Sequence, residues 1–157
     1  MGETIVDAEA RLKELGIELP PAPKPIGNYV AGIRVGNLLF MSGIGPRRSD
    51  GSSITGKLGA GLSVDEGYAA ARVVGLNMLA NIRSVIGTLD KVERVVKVLG
   101  MVNSADGFGD QPQVINAFSD LMVDVFGEAG KHARSAVGMA GLPGNSPVEV
   151  EMIVEVE

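Results

Sequence analysis

Three residues near the C-terminal end carry the side chains best suited to chemistry on a small anion: His132, Arg134 and Glu149. Arg134 lies in an alternating stretch in which Arg134, Ala136, Gly138 and Ala140 share one face, and Ser135, Val137 and Met139 the other. A guanidinium among small residues leaves room for a ligand, and its planar fork pairs both oxygens of a carboxylate at once. The following stretch alternates again, with Val148, Val150, Met152, Val154 and Val156 on one face and Glu149, Glu151, Ile153, Glu155 and Glu157 on the other. The Gly/Pro/Asn segment between them, residues 142–147, predicts a hairpin. If the Val/Met stripe faces the core, this register puts Arg134 on the opposite face, together with the glutamates. His132 is the sole histidine, two residues before Arg134 on the same strand face. Its near-neutral pKa suits acid/base work, although a lone histidine is more often structural.

Those strands need a scaffold, and the rest of the chain supplies one. Residues 4–15 read as a short amphipathic helix with Ile5, Ala8, Leu12 and Leu15 on one side. Gly16 and Pro20, Pro21, Pro23 and Pro25 end it in an extended connector. Residues 29–35 and 38–42 form a hairpin around Gly36-Asn37. After a loop-like stretch (residues 43–62), Ser63 and Glu66 make a capping box that opens a helix running to about Ile86. Its buried stripe is expected to hold Tyr68, Ala71, Gly75, Leu79, Ile82 and Ile86. Residues 92–103 are a strand, with Val92, Val96, Val98 and Val102 on one face and Val95, Leu99 and Met101 on the other. Asp110 and Pro112 open a second helix to about Phe126, burying Val114, Phe118, Leu121 and Val125.

The predicted order is ββαβαββ plus an N-terminal helix, an α+β class with a mixed sheet and two helices packed on one face. Two helices cover only one face of a sheet, so an apolar second face calls for another cover, by self-association or by the N-terminal helix. We divide the chain into residues 1–26, helix and Pro-rich connector, and a domain over residues 27–157.

Composition narrows the functions. The chain has 157 residues, 45% hydrophobic and 21% charged, which suits one globular domain. Apolar runs are too short to span a bilayer, and no partner membrane is expected. Glu3, Asp7 and Glu9 stand where a signal peptide carries cations, and cysteine is absent, so a cytoplasmic protein is expected. A net charge of −5 with 4% aromatics, and no basic run longer than Arg47-Arg48, argues against nucleic acid as partner. No metal-ligand cluster, phosphate loop or nucleophile triad is present in the sequence, so no metal or cofactor is expected.

The Arg134-Ser135 pair, Leu142-Pro143 and the Val-Glu-Val-Glu strand from Val148 resemble the signature of the YjgF/RidA family, the reactive imine/enamine deaminases also labelled endoribonuclease L-PSP. Residues 26–43, the helix after Ser63, residues 102–108 and residues 113–118 follow in that family's order. The resemblance implies a fold like trimeric chorismate mutase, a homotrimer, and a pocket at each subunit interface. It implies that Arg134 holds a substrate carboxylate and Glu149 handles protons or positions water. Tyr29, Ser42 and Gly43 would border the pocket, and Asn116 would lie near it. Hydrolytic deamination of short imino or enamino acids, such as 2-aminoacrylate, to a keto acid and ammonia is the implied activity. Three departures point to a divergent subgroup: Ala136 where many members carry cysteine, Ile44-Gly45-Pro46 for the commoner Gln-Ile-Pro, and His132 beside the arginine. A trimer that binds a small carboxylate without turnover is the alternative reading, and ribonuclease activity the third.

Overall fold

A computed structural model describes residues 7–157. In chain order its elements are α1 (Ala8–Glu14), β1 (Gly32–Val35), β2 (Leu38–Ile44), β3 (Lys57–Leu58), β4 (Gly61–Leu62), α2 (Val64–Ile86), β5 (Val92–Asn103), α3 (Gln111–Phe126), β6 (Ala133–Met139) and β7 (Val148–Val156). The five main strands form one mixed sheet in the order β1-β2-β7-β5-β6. Within this sheet β5 and β6 run parallel and the other neighbours antiparallel; β3 and β4 form a separate parallel pair. The expected α+β class and mixed sheet are thus present.

Local signals act where they were read. Ser63 accepts from the Glu66 N–H and the Glu66 carboxylate accepts from the Ser63 N–H, closing the capping box that starts α2. Val114, Phe118, Leu121 and Val125 of α3 are all buried. That helix packs on β5 and β6, while α2 packs on β7 and β2, whose stripe Val148, Val150, Met152, Val154 and Val156 on β7 is buried. At Gly100 a Cβ would lie 2.7 Å from Ile115 carbons, so α3 approaches β5 as closely as a missing side chain allows.

Three expectations are corrected. First, β6 and β7 are not a hairpin. Strand β5 lies between them and pairs with both, so residues 140–147 cross over it. A strand as long and as apolar on both faces as β5 gains more between two neighbours than at an edge. Second, register shifts in β5 between Val92 and Arg94 and between Val95 and Lys97 exchange two valines: Val95 is buried and Val96 only half-buried. Third, Tyr68 is 40% exposed, its hydroxyl donating to Asp120, because Gly67 takes the buried position against Leu58 and Val114. Ile5 of the expected N-terminal stripe lies outside the described residues; within them, Asp7 caps α1.

The helix α1 lies on the helix side of the sheet, against α3 and the turn Leu89–Lys91, and so does not cover the second face. The register places Phe40, Leu99, Met101, Val137 and Ile153 together on that face, where Phe40 is 39% and Val137 38% exposed. Among the described residues no helix is long and apolar enough to cross a membrane.

The Glu9 carboxylate ties α1 to α2 and to the turn that follows it. Arg83 donates to Glu9 through Nε (3.0 Å) and Nη2 (2.6 Å), and the Leu89 N–H donates to the same carboxylate at 3.0 Å. Burial raises the Glu9 pKa, but these hydrogen bonds outweigh it and hold the group below its ordinary value. Glu9→Gln is therefore expected to cost about 1 kcal/mol in urea denaturation at neutral pH. The clasp contributes above the ordinary glutamate value of 4.5 and is lost as pH falls through the lower folded value, so wild type and variant should converge in acid.

Candidate functional site

The residues singled out in the sequence gather into two groups. The first sits where the edge strand β6 meets the polar flank of α3. Asn116 and Ser119, three apart on that helix, face the strand together. Arg134 pairs in register with Val98, and Ala136 with Gly100, whose missing side chain would meet Ile115 of α3. Both therefore face the helix layer. Arg134 donates through Nη1 to Asn116 Oδ1 at 2.9 Å and to Ser119 Oγ at 3.1 Å. Its Nε and Nη2 make no hydrogen bond with any described residue. That edge of the guanidinium is the one that takes a carboxylate side-on.

His132 supports the group from behind. Its Nδ1 lies 2.6 Å from the Gly130 carbonyl, which can only accept, so Nδ1 carries the proton. Nε2 is then an acceptor, and Ser119 Oγ, 2.9 Å away, donates to it. Burial, and then the charge of Arg134, hold the His132 pKa below its ordinary 6.5 against the opposing pull of the Gly130 carbonyl.

The second group lies at the far end of β2. A register irregularity between Met41 and Ile44 turns the chain at Ser42-Gly43. Ser42 Oγ donates to the Val30 carbonyl at 2.6 Å, fixing the approach to β1. A Cβ on Gly43 would fall 2.5 Å from Glu149 Oε1, so the glutamate occupies the space a side chain would need. Tyr29, 51% exposed, lines a small cavity of about 40 Å³ with Lys24, Ser42, Gly43 and Asn81. Asn81 Oδ1 is buried there with no hydrogen-bond partner among the described residues. Burial first, then the neighbouring Glu151, raise the Glu149 pKa above its ordinary value.

The two groups do not meet within one chain, which corrects the expected register. Arg134 lies on the same face as the Val/Met stripe, since Val98 pairs with both Arg134 and Met152. Glu149 pairs with Met101, which faces away from the helices, and so lies on the opposite face. The residues are two strands apart in the sheet and three apart along it, roughly 10 Å in each direction. Strand β6 alternates as expected, but in the opposite phase. Small residues occupy both faces of this edge strand, so hydrophobicity does not choose between them. His132, Arg134 and Asn116 do come together, as do Tyr29, Ser42, Gly43 and Glu149. Ser119 and Asn81 escaped the sequence reading. Ser119 had a usable signal in its spacing from Asn116, and Asn81 in being polar within the apolar stripe of α2. Among the described residues no group of three or more acidic or histidine side chains is placed to hold a metal.

Comparison with known proteins decides the family. The model described as "YjgF/chorismate mutase-like, putative endoribonuclease" matches residues 9–156. The chain belongs to the YjgF/RidA family. Among YjgF/RidA relatives, Protein TCP17 of Trypanosoma cruzi is 47% identical over 147 residues, 93% of this chain and 92% of that protein. A protein of Dermatophagoides farinae named 2-iminobutanoate/2-iminopropanoate deaminase is 34% identical, covering 90% of this chain and 95% of its own. A solved structure from Agrobacterium tumefaciens, described as having unknown function, superposes with a TM-score of 0.86 at 43% identity, over 96% of this chain and 94% of that one.

The electrostatics of Glu149 give a test independent of activity. Its folded pKa lies above the unfolded value, so the ionised group lowers stability once pH has risen through the folded pKa. Glu149→Gln should gain a small stability at pH 7, no more than about 1 kcal/mol given solvent screening. The gain should vanish below pH 4.5, where both states of the wild type are protonated, as followed by thermal unfolding.

Proposed function

We propose that this chain hydrolyses short imino acids, of the 2-iminopropanoate and 2-iminobutanoate type, to keto acids and ammonia. The observation that carries the reading is the free Nε–Nη2 edge of Arg134, held in orientation by Asn116 and Ser119. The name of the Dermatophagoides farinae relative supports the same chemistry. Arg134 binds the substrate carboxylate in a bidentate pair and so places the imine carbon for attack. Water adds to that carbon: a C–O bond forms and the C=N electrons move to nitrogen. Collapse of the carbinolamine then forms the C=O bond as its hydroxyl proton passes to nitrogen, breaks the C–N bond and releases ammonia. Glu149 takes the proton of the attacking water and returns it to the leaving nitrogen, a role suited to a carboxylate whose pKa burial has raised.

Since Arg134 and Glu149 lie on opposite faces of one sheet, the working site combines two copies. The apolar face with Phe40, Leu99 and Met101 supplies the contact, and the assembly is a homotrimer with a pocket at each interface. Tyr29, Ser42, Gly43 and Ala136 line that pocket. The protein works in the cytoplasm.

The separation of Glu149 from Arg134 also favours a second reading, carboxylate binding without turnover. RNA is the least fitting ligand, given the net charge of −5.

One assay separates these. With 2-aminoacrylate or 2-iminobutanoate generated in situ, wild type should accelerate keto-acid and ammonia release. Arg134→Ala should lower kcat/KM roughly 10- to 100-fold, the loss of a charge-assisted pair. Absence of acceleration by wild type leaves the binding reading, and undiminished activity of Arg134→Ala removes Arg134 from the site. Light scattering should give the mass of three chains; a stable monomer sinks the shared pocket.

A further inference from the structure

The hydrogen bonds behind Arg134 run in one direction. The Gly130 carbonyl accepts from His132 Nδ1–H at 2.6 Å, His132 Nε2 accepts from Ser119 O–H at 2.9 Å, and Ser119 Oγ accepts from Arg134 Nη1–H at 3.1 Å. The carbonyl has no proton to give, so the tautomer of the histidine is fixed from its far end, and with it the direction in which the serine proton points. That proton is committed to the imidazole, which leaves the serine lone pairs for the guanidinium. One histidine thus sets the hydrogen-bonding state of a side chain two steps away.

We propose that His132, acting through Ser119, is a positioning residue for Arg134, and that binding a carboxylate on Arg134 and taking up a proton on His132 promote each other. This rests on the reading of Arg134 as the carboxylate holder. Two opposing conditions meet at the cluster. In the empty site the guanidinium charge disfavours a second cation on the neighbouring imidazole. A carboxylate on the free Nε–Nη2 edge neutralises that charge and removes the penalty. A protonated Nε2 becomes a donor, and Ser119 accommodates it by accepting from both cations and turning its own O–H outward.

The other charged groups flanking His132 leave this coupling to Arg134. Glu128 and Lys131, in the turn before the strand, pair with each other at 2.7 Å. Asp120 on α3 accepts from Tyr68 on the outer surface. Lys97 on β5 directs its Nζ to Ser135, whose register partner Leu99 faces away from the helices. Burial and the Arg134 charge hold the imidazole neutral in the empty site.

His132 is the single histidine of the chain, so its imidazole resonances are unambiguous in NMR. The test titrates those resonances with and without saturating 2-oxobutanoate, the keto acid of the proposed reaction. The expected result is a titration midpoint that rises by about half a pH or more on binding. By reciprocity the affinity for 2-oxobutanoate, measured by calorimetry, should be tighter at pH 5.5 than at pH 8, by up to about threefold for a half-unit rise in midpoint. His132→Gln should flatten that profile, and Ser119→Ala should weaken binding and shrink the rise in midpoint. A merely structural role moves none of these pH readouts. If 2-oxobutanoate binds, Arg134→Ala abolishes the binding, and the midpoint stays where it was, the coupling is refuted while the carboxylate site stands. The coupling fails equally if His132→Gln keeps the wild-type profile. If 2-oxobutanoate does not bind, or binds Arg134→Ala as tightly as wild type, the reading of Arg134 itself falls and takes the coupling with it.

Discussion

The burial of one face of β7 governs the rest of this molecule. Val148, Val150, Met152, Val154 and Val156 are each at most 2% exposed on the helix side, and the strand sits at the centre of the five-stranded sheet. Because side chains alternate, this commitment sends Glu149 and Glu151 to the other side, where no helix waits. It also fixes the register of β5, and through β5 that of β6, so Arg134 is delivered to the helix side although nothing in its own strand demands it. The division of the candidate site between two faces is a consequence of that valine stripe.

Much of the fold was legible because its signals are local. The Ser63–Glu66 box marks the start of α2, the apolar spacing of α3 names its buried residues, and Gly36-Asn37 marks the β1–β2 turn, with Gly36 at φ 61°. These depend on residues a few positions apart, and tertiary context has little room to override them. The resemblance carried the family and the broad fold, beyond what periodicity alone could give.

What escaped was nonlocal. Gly, Pro and Asn between two alternating stretches serve equally for a hairpin and for a connection that steps over a third strand, so residues 140–147 could not reveal β5 between β6 and β7. The two bulges in β5 changed the phase of an alternation that looked regular in the sequence. Arg134 was recognised as a residue of interest, yet its face followed from pairings with distant strands. Ser119 went unnoticed for a related reason: a serine on a helix flank gains meaning only when β6 brings His132 and Arg134 against it.

The bare contact of Gly100 with Ile115 bears on how the anion cradle can behave. With no side chain between them, α3 has no cushion over β5, and β6 is hydrogen-bonded along the neighbouring edge of that same strand. Guanidinium, carboxamide, hydroxyl and imidazole therefore ride on a single rigid block. Under the proposed reading, such a cradle would tell its ligands apart by charge and proton uptake more than by a change of aperture.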